Sequence, residues 1–122
     1  MGLLDGKVVI VTGAGRGIGR GEALECAAQG AAVVVAEFDK DAGDTVVKEI
    51  DALGGRAVAV SGDVADEAVA DTLVQTAVAE FGGLDALVNN AGILRDRTIA
   101  KLDADDWDAV VRVHLRGHFL PT

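Results

Sequence analysis

The stretch of this chain best suited to chemistry offers backbone rather than side chains: Thr12-Gly13-Ala14-Gly15-Arg16-Gly17-Ile18-Gly19. It follows an apolar run, Lys7-Val8-Val9-Ile10-Val11, and opens a helical pattern. A strand that turns through glycines into a helix leaves first-turn N–H groups pointing outward, and these, with the helix dipole, favour a phosphate. Glycine serves where the backbone must adopt positive φ or come close to a ligand. A Gly-x-Gly-x-x-Gly string is common at strand–helix junctions and says little alone. Here the strand before it, the helix after it and the βαβ period agree, so a dinucleotide site is expected.

Acidic residues follow at useful spacings. Glu37 ends the second apolar run, Ala32-Val33-Val34-Val35-Ala36, twenty residues beyond Gly17. A carboxylate there can accept from an adenosine ribose 2′-hydroxyl while repelling a 2′-phosphate. Asp39 competes for that role, and its other reading is the cap of the next helix. Ser61-Gly62-Asp63-Val64 closes a third run, where Asp63 reads either as a ligand contact or as part of a helix-entry turn.

Thr12 with Gly13, Gly17 and Gly19 spells Thr-Gly-x-x-x-Gly-x-Gly, and Asn89-Asn90-Ala91-Gly92 closes the run Leu84-Asp85-Ala86-Leu87-Val88. Together these resemble the nicotinamide-binding half of the short-chain dehydrogenase/reductase family. The resemblance implies that Gly13 to Gly19 wrap a pyrophosphate, with Ile18 packing near the nicotinamide side. It implies that Asp63 accepts from the adenine amine while the Val64 N–H donates back. It also implies that Ala91 and Gly92 leave room for the cofactor ribose, with Asn90 beside them satisfying strand-end backbone groups. Arg16 stands where basic residues accompany NADP, whereas Phe38 stands where NADP-binding relatives often carry a basic residue. One anionic contact at the 2′ position should outweigh a nearby flexible cation, so NAD is expected over NADP.

Ile93-Leu94-Arg95-Asp96-Arg97, Asp106-Trp107-Asp108 and Val113-His114-Leu115-Arg116-Gly117 extend the resemblance. They are similar to the (3R)-hydroxyacyl-CoA dehydrogenase part of multifunctional enzymes and, nearly as closely, to 3-oxoacyl-carrier-protein reductases. Hydride transfer between NAD and a 3-hydroxy or 3-oxo acyl thioester, or a similar secondary alcohol or ketone, is the implied reaction. His114 takes the place of an asparagine that most of the family uses in catalysis; a packed helix histidine is the other reading. The family's proton transfer uses a tyrosine helped by a lysine, and this chain contains no tyrosine. The 122 residues therefore read as a dinucleotide-binding half whose catalytic half is absent, and catalysis by this chain alone is not expected. A small-molecule substrate is expected only if that catalytic half is supplied. A non-catalytic dinucleotide-binding or partner-pairing module stays open as the alternative. A Rossmann-type methyltransferase fits both motifs less well.

The elements that must position these residues follow from hydropathy. Apolar runs alternate with amphipathic stretches, the pattern of βαβ units on a parallel sheet. Strands are expected over Val8–Val11, Ala32–Ala36, Ala57–Val60 and Ala86–Val88, continuous in hydrophobicity because both faces would be covered. Helices are expected over 17–29, ended by Gly30, from about Ala42 to Leu53, and over 66–81 with Val69, Leu73 and Val78 facing inward. A last helix starts near Asp103, with Trp107, Val110, Val111 and Leu115 apolar, and Pro121 would stop it. The expected fold is α/β: a Rossmann-type doubly wound parallel sheet, truncated to about four strands in the order 3-2-1-4. Its fourth strand would be an apolar edge, so self-association is expected.

Composition sets the outer bounds. Half of the residues are hydrophobic, and 11 Lys and Arg against 20 Asp and Glu give a formal charge of −9. That balance argues against nucleic acid or an anionic membrane as partner. The first residues lack a basic start, and Gly6 stands where a myristoylation signal wants Ser or Thr. Cys26 is the only cysteine, so no internal disulfide can form and a cytoplasmic setting is expected. No metal site is expected.

Overall fold

The computed structural model describes residues 2–91. Within them β1 (Val8–Thr12), α1 (Gly17–Ala28), β2 (Ala32–Glu37), α2 (Lys40–Ala52), β3 (Arg56–Ser61), α3 (Glu67–Phe81) and β4 (Ala86–Val88) alternate strictly. The four strands form one parallel sheet in the order β3-β2-β1-β4. Val9 to Val11 of β1 pair with Ala86 to Val88 on one side, and Val8 to Thr12 pair with Ala32 to Ala36 on the other. The chain thus steps outward from β1 to β3 and then returns to β1's other edge, which makes β1 the point where strand order reverses.

Alternation along the strands sends successive side chains to opposite faces. Val9, Val11, Val33 and Val35 meet Ala23 and Ala27 of α1 and Val46 and Ile50 of α2 on one face. Val8, Ile10, Ala32 and Val34 meet Leu73 and Ala77 of α3 on the other. With both faces covered, β1 is buried along its whole length. Continuous apolar runs are what such central strands require. The expected doubly wound parallel sheet is the observed one.

Helix ends are fixed by local chemistry. The Asp39 carboxylate accepts from the Asp41 and Ala42 N–H groups, at 3.0 and 3.2 Å, and so starts α2 at Lys40, two residues before the sequence expectation. Asp66 accepts from the Ala68 N–H and is the cap of α3 rather than its first residue. Gly82, at φ +85°, closes α3 in the left-handed region that favours glycine. One expectation is corrected. The inward stripe of α3 is Ala70, Leu73 and Ala77, whereas Val78 is exposed. Ala70, Leu73 and Ala77 repeat at i, i+3 and i+7 and share one face, and Val78, about 100° further round the helix from Ala77, falls outside it. The helix expected near Asp103 lies outside the described residues.

Candidate cofactor site

All the described candidate residues gather at the carboxyl ends of the strands, around the point where strand order reverses. In open α/β sheets that crevice is where ligands bind. Three linked groups of contacts build it.

The first joins β1 to β4. Thr12 is fully buried, and its Oγ1 donates to the Val88 carbonyl at 3.3 Å. The same oxygen accepts from the Asn90 and Ala91 N–H groups at 3.0 and 3.1 Å. One hydroxyl thereby uses its donor and both acceptor positions. The Asn90 amide nitrogen then donates to the Gly13 carbonyl at 3.3 Å. Gly13 sits at φ +65°, and a Cβ there would lie 2.8 Å from the Ala91 Cα. A Cβ at Gly19 would overlap both the Gly13 carbonyl oxygen and the Asn90 amide nitrogen. Two of the motif glycines are therefore needed so that α1, the turn and the Asn90 segment can touch.

Gly17 differs. Its φ is +60°, and a Cβ there would meet nothing within 4 Å. It borders open space at the start of α1. No side chain caps that helix, and its first turn holds no acidic residue. By contrast Asp39 caps α2 with Asp41 in its first turn, and Asp66 caps α3 with Glu67. An uncapped positive helix end beside a glycine turn fits the pyrophosphate of a dinucleotide. Ile18, next along, is 79% exposed.

The second group lies at the end of β2. Glu37 Oε2 accepts from the Gly15 N–H at 2.8 Å, and a Cβ at Gly15 would come within 2.6 Å of the Glu37 Cγ. The carboxylate is thus drawn against the glycine turn. Arg16 reaches past it to Asp39, with Nη2 2.6 Å from Oδ2. Of the two readings of Asp39, the helix cap is realised.

The third group closes β3. The Gly62 N–H donates to the Glu37 carbonyl at 3.1 Å, which sets the Asp63 turn beside the end of β2. Asp63 Oδ1 accepts from the Ala65 N–H at 2.8 Å, and Val64 is buried. Asp63 thus takes part in the helix-entry turn, the other reading open to it.

Gly92 and His114 lie outside the described residues. The sequence places Thr12 and Gly15 within the glycine motif but gives neither a partner. For Thr12 the further signal is a hydroxyl ending an otherwise apolar buried strand; for Gly15 there is only its place inside the turn. Away from the site, burial first and then Glu22 and Glu25 push the Cys26 thiol above its usual range, the opposite of an activated nucleophile. Among the described residues no group of three or more His, Cys, Asp or Glu could hold a metal ion, and no helix is long and apolar enough to cross a membrane.

Comparison with known proteins gives the site a context. A family model described as short chain dehydrogenase matches residues 7–122. The hydroxyacyl-CoA dehydrogenase ChsB1 of Mycobacterium tuberculosis is 54% identical over 125 residues, spanning 98% of this chain and 39% of that protein. A 3-oxoacyl-[acyl-carrier-protein] reductase of Synechocystis is 46% identical over 123 residues, spanning all of this chain and 50% of that protein. The crystal structure of a short chain dehydrogenase from Mycobacterium avium superposes with a TM-score of 0.95 at 55% identity, over 99% of this chain and 45% of its own. The chain therefore spans half or less of the length of each.

Proposed function

Since this chain belongs to the short chain dehydrogenase family, oxidoreductases that bind a nicotinamide dinucleotide, we propose that its residues hold NAD in preference to NADP for hydride transfer on an acyl thioester. The observation that carries this reading is the uncapped start of α1, open at Gly17, with the Glu37 carboxylate one hydrogen bond away at Gly15. The backbone N–H groups of Gly17 to Gly19 bind the pyrophosphate. Glu37 accepts from the ribose 2′-hydroxyl and repels a phosphate in its place. Asp63 and Val64 receive the adenine, and Ile18 and the Asn90–Gly92 turn border the nicotinamide end.

When bound, the nicotinamide supplies the hydride chemistry. What this chain's residues contribute is binding and orientation, with the turn held rigid from Thr12 and Asn90. The substrate class is supported by the relatives. One is named for a hydroxyacyl-CoA and another for a 3-oxoacyl chain on a carrier protein. Both are acyl thioesters, and their hydroxyl and ketone forms interconvert by hydride transfer.

Glu37→Gln tests the cofactor choice. Glutamine still offers an oxygen to the Gly15 N–H, so the turn is retained, and what is lost is the charge and the long 3.4 Å acceptor for the Asp39 N–H. NADPH binding is expected to tighten by roughly tenfold, with NADH changing by less than about threefold, because like-charge repulsion is removed. Equal titrations of wild type and variant with NADPH would contradict the assignment.

A further inference from the structure

Two helix-capping positions meet across the mouth of the glycine turn. Arg16 precedes α1 and Asp39 precedes α2, yet Arg16 Nη2 lies 2.6 Å from Asp39 Oδ2. The other oxygen of the same carboxylate, Oδ1, accepts from the Asp41 and Ala42 N–H groups. Asp39 is thus anchored by α2 on one side and draws the guanidinium on the other. The Glu37 carboxylate touches both loops, accepting at Oε2 from the N–H of Gly15, the residue preceding Arg16, and at Oε1 from the Asp39 N–H at 3.4 Å.

We propose that Asp39 is a specificity-determining residue for the cofactor's 2′ position, acting by holding Arg16 away from a 2′-phosphate. The inference rests on the reading that a dinucleotide ribose lies at Glu37. A free guanidinium at this place is well suited to a phosphate dianion, which it can grip with two parallel N–H groups. To turn a two-donor edge onto a phosphate here, Arg16 would have to share or give up its Nη2 contact with Asp39. Two carboxylates, Glu37 and Asp39, would then face the phosphate without compensation. With the pair intact, one cation is already matched to one of two anions, and the mouth of the site stays net negative. The pair is exposed, at 70% and 45% for the two side chains, so it contributes little to folding and its consequence lies in selectivity.

Asp39→Asn isolates the charge. Asparagine caps helices as well as aspartate does, so α2 is expected to keep its start. Wild type, Asp39→Asn, Arg16→Gln and the double variant are titrated with NADH and with NADPH, with circular dichroism confirming that each is folded. Asp39→Asn is expected to tighten NADPH by roughly three- to fivefold, the scale of an exposed ion pair, and to change NADH by less than about twofold. Adding Arg16→Gln is expected to abolish the gain. A gain that survives in the double variant would overturn the inference, since it would come from the lost carboxylate alone. An unchanged NADPH-to-NADH ratio in Asp39→Asn would overturn it as well. Wild type binding neither dinucleotide would overturn the inference together with the proposed function. Wild type binding both equally, with Asp39→Asn still shifting the ratio through Arg16, would support the inference and remove Glu37 as the selector.

Discussion

Gly19→Ala is expected to abolish dinucleotide binding and to destabilise the chain by about 2–3 kcal/mol, as overpacking of a tight contact does. The new methyl would overlap the Gly13 carbonyl oxygen and the Asn90 amide nitrogen. Neither can yield cheaply. The first is backbone of the turn itself, and the second is engaged with that same carbonyl. The first turn of α1 would have to lift off, taking its N–H groups out of position. Gly17→Ala supplies the contrast. Its methyl meets no neighbour, so the stability cost reduces to left-handed backbone strain of about 1–2 kcal/mol. The methyl nevertheless projects from the uncapped helix start, so NADH affinity is expected to fall by roughly tenfold or more. Urea unfolding beside NADH titration separates the two. Equal stability of Gly19→Ala and wild type would show that the turn and α1 are not packed as described.

Thr12→Val is the second large effect. Valine matches the shape of threonine but removes the acceptor used by the Asn90 and Ala91 N–H groups and the donor to Val88. Depriving buried polar groups of a partner costs about 1–3 kcal/mol, and here one oxygen serves three of them. A loss of about 2–3 kcal/mol is therefore expected from urea unfolding. Thr12→Ser keeps the hydroxyl and gives up one buried methyl, for about 1 kcal/mol. The ordering of these two variants is the informative readout. Serine worse than valine would mean that packing, and not the hydroxyl, ties β4 to β1.

The contrast between these residues shows what could be read from the sequence. The strands were legible because a central parallel strand is apolar on both faces, so Val8 to Val11 and Ala32 to Ala36 stand out as unbroken runs. Gly30, Gly54 and Gly82 marked the helix ends because each sits at positive φ. Periodicity places Val78 on the inward stripe of α3, but Val78 is exposed. Periodicity favours large apolar residues, whereas the face against the sheet is mostly alanine, chosen for close approach. The sequence pattern starts α2 near Ala42, whereas Asp39's side-chain bonds to the Asp41 and Ala42 N–H groups start it at Lys40.

Within the site, the glycine motif and Glu37 were legible from local spacing. Thr12's role was not, because its partners Val88, Asn90 and Ala91 come from the far side of the sheet and are met only after the fold closes. Gly15 was hidden for the same reason, its N–H reaching Glu37 on another strand. The Arg16–Asp39 pair likewise joins two loops that sequence order keeps apart.

The central claim is that the glycine turn and Glu37 together form an NAD-selective site. Its most direct test is a parallel titration of the folded chain with NADH and NADPH, following energy transfer from Trp107, the only tryptophan. Saturable NADH binding, tighter than NADPH, is the predicted result. No saturable signal at millimolar NADH, or tighter binding of NADPH, would contradict it.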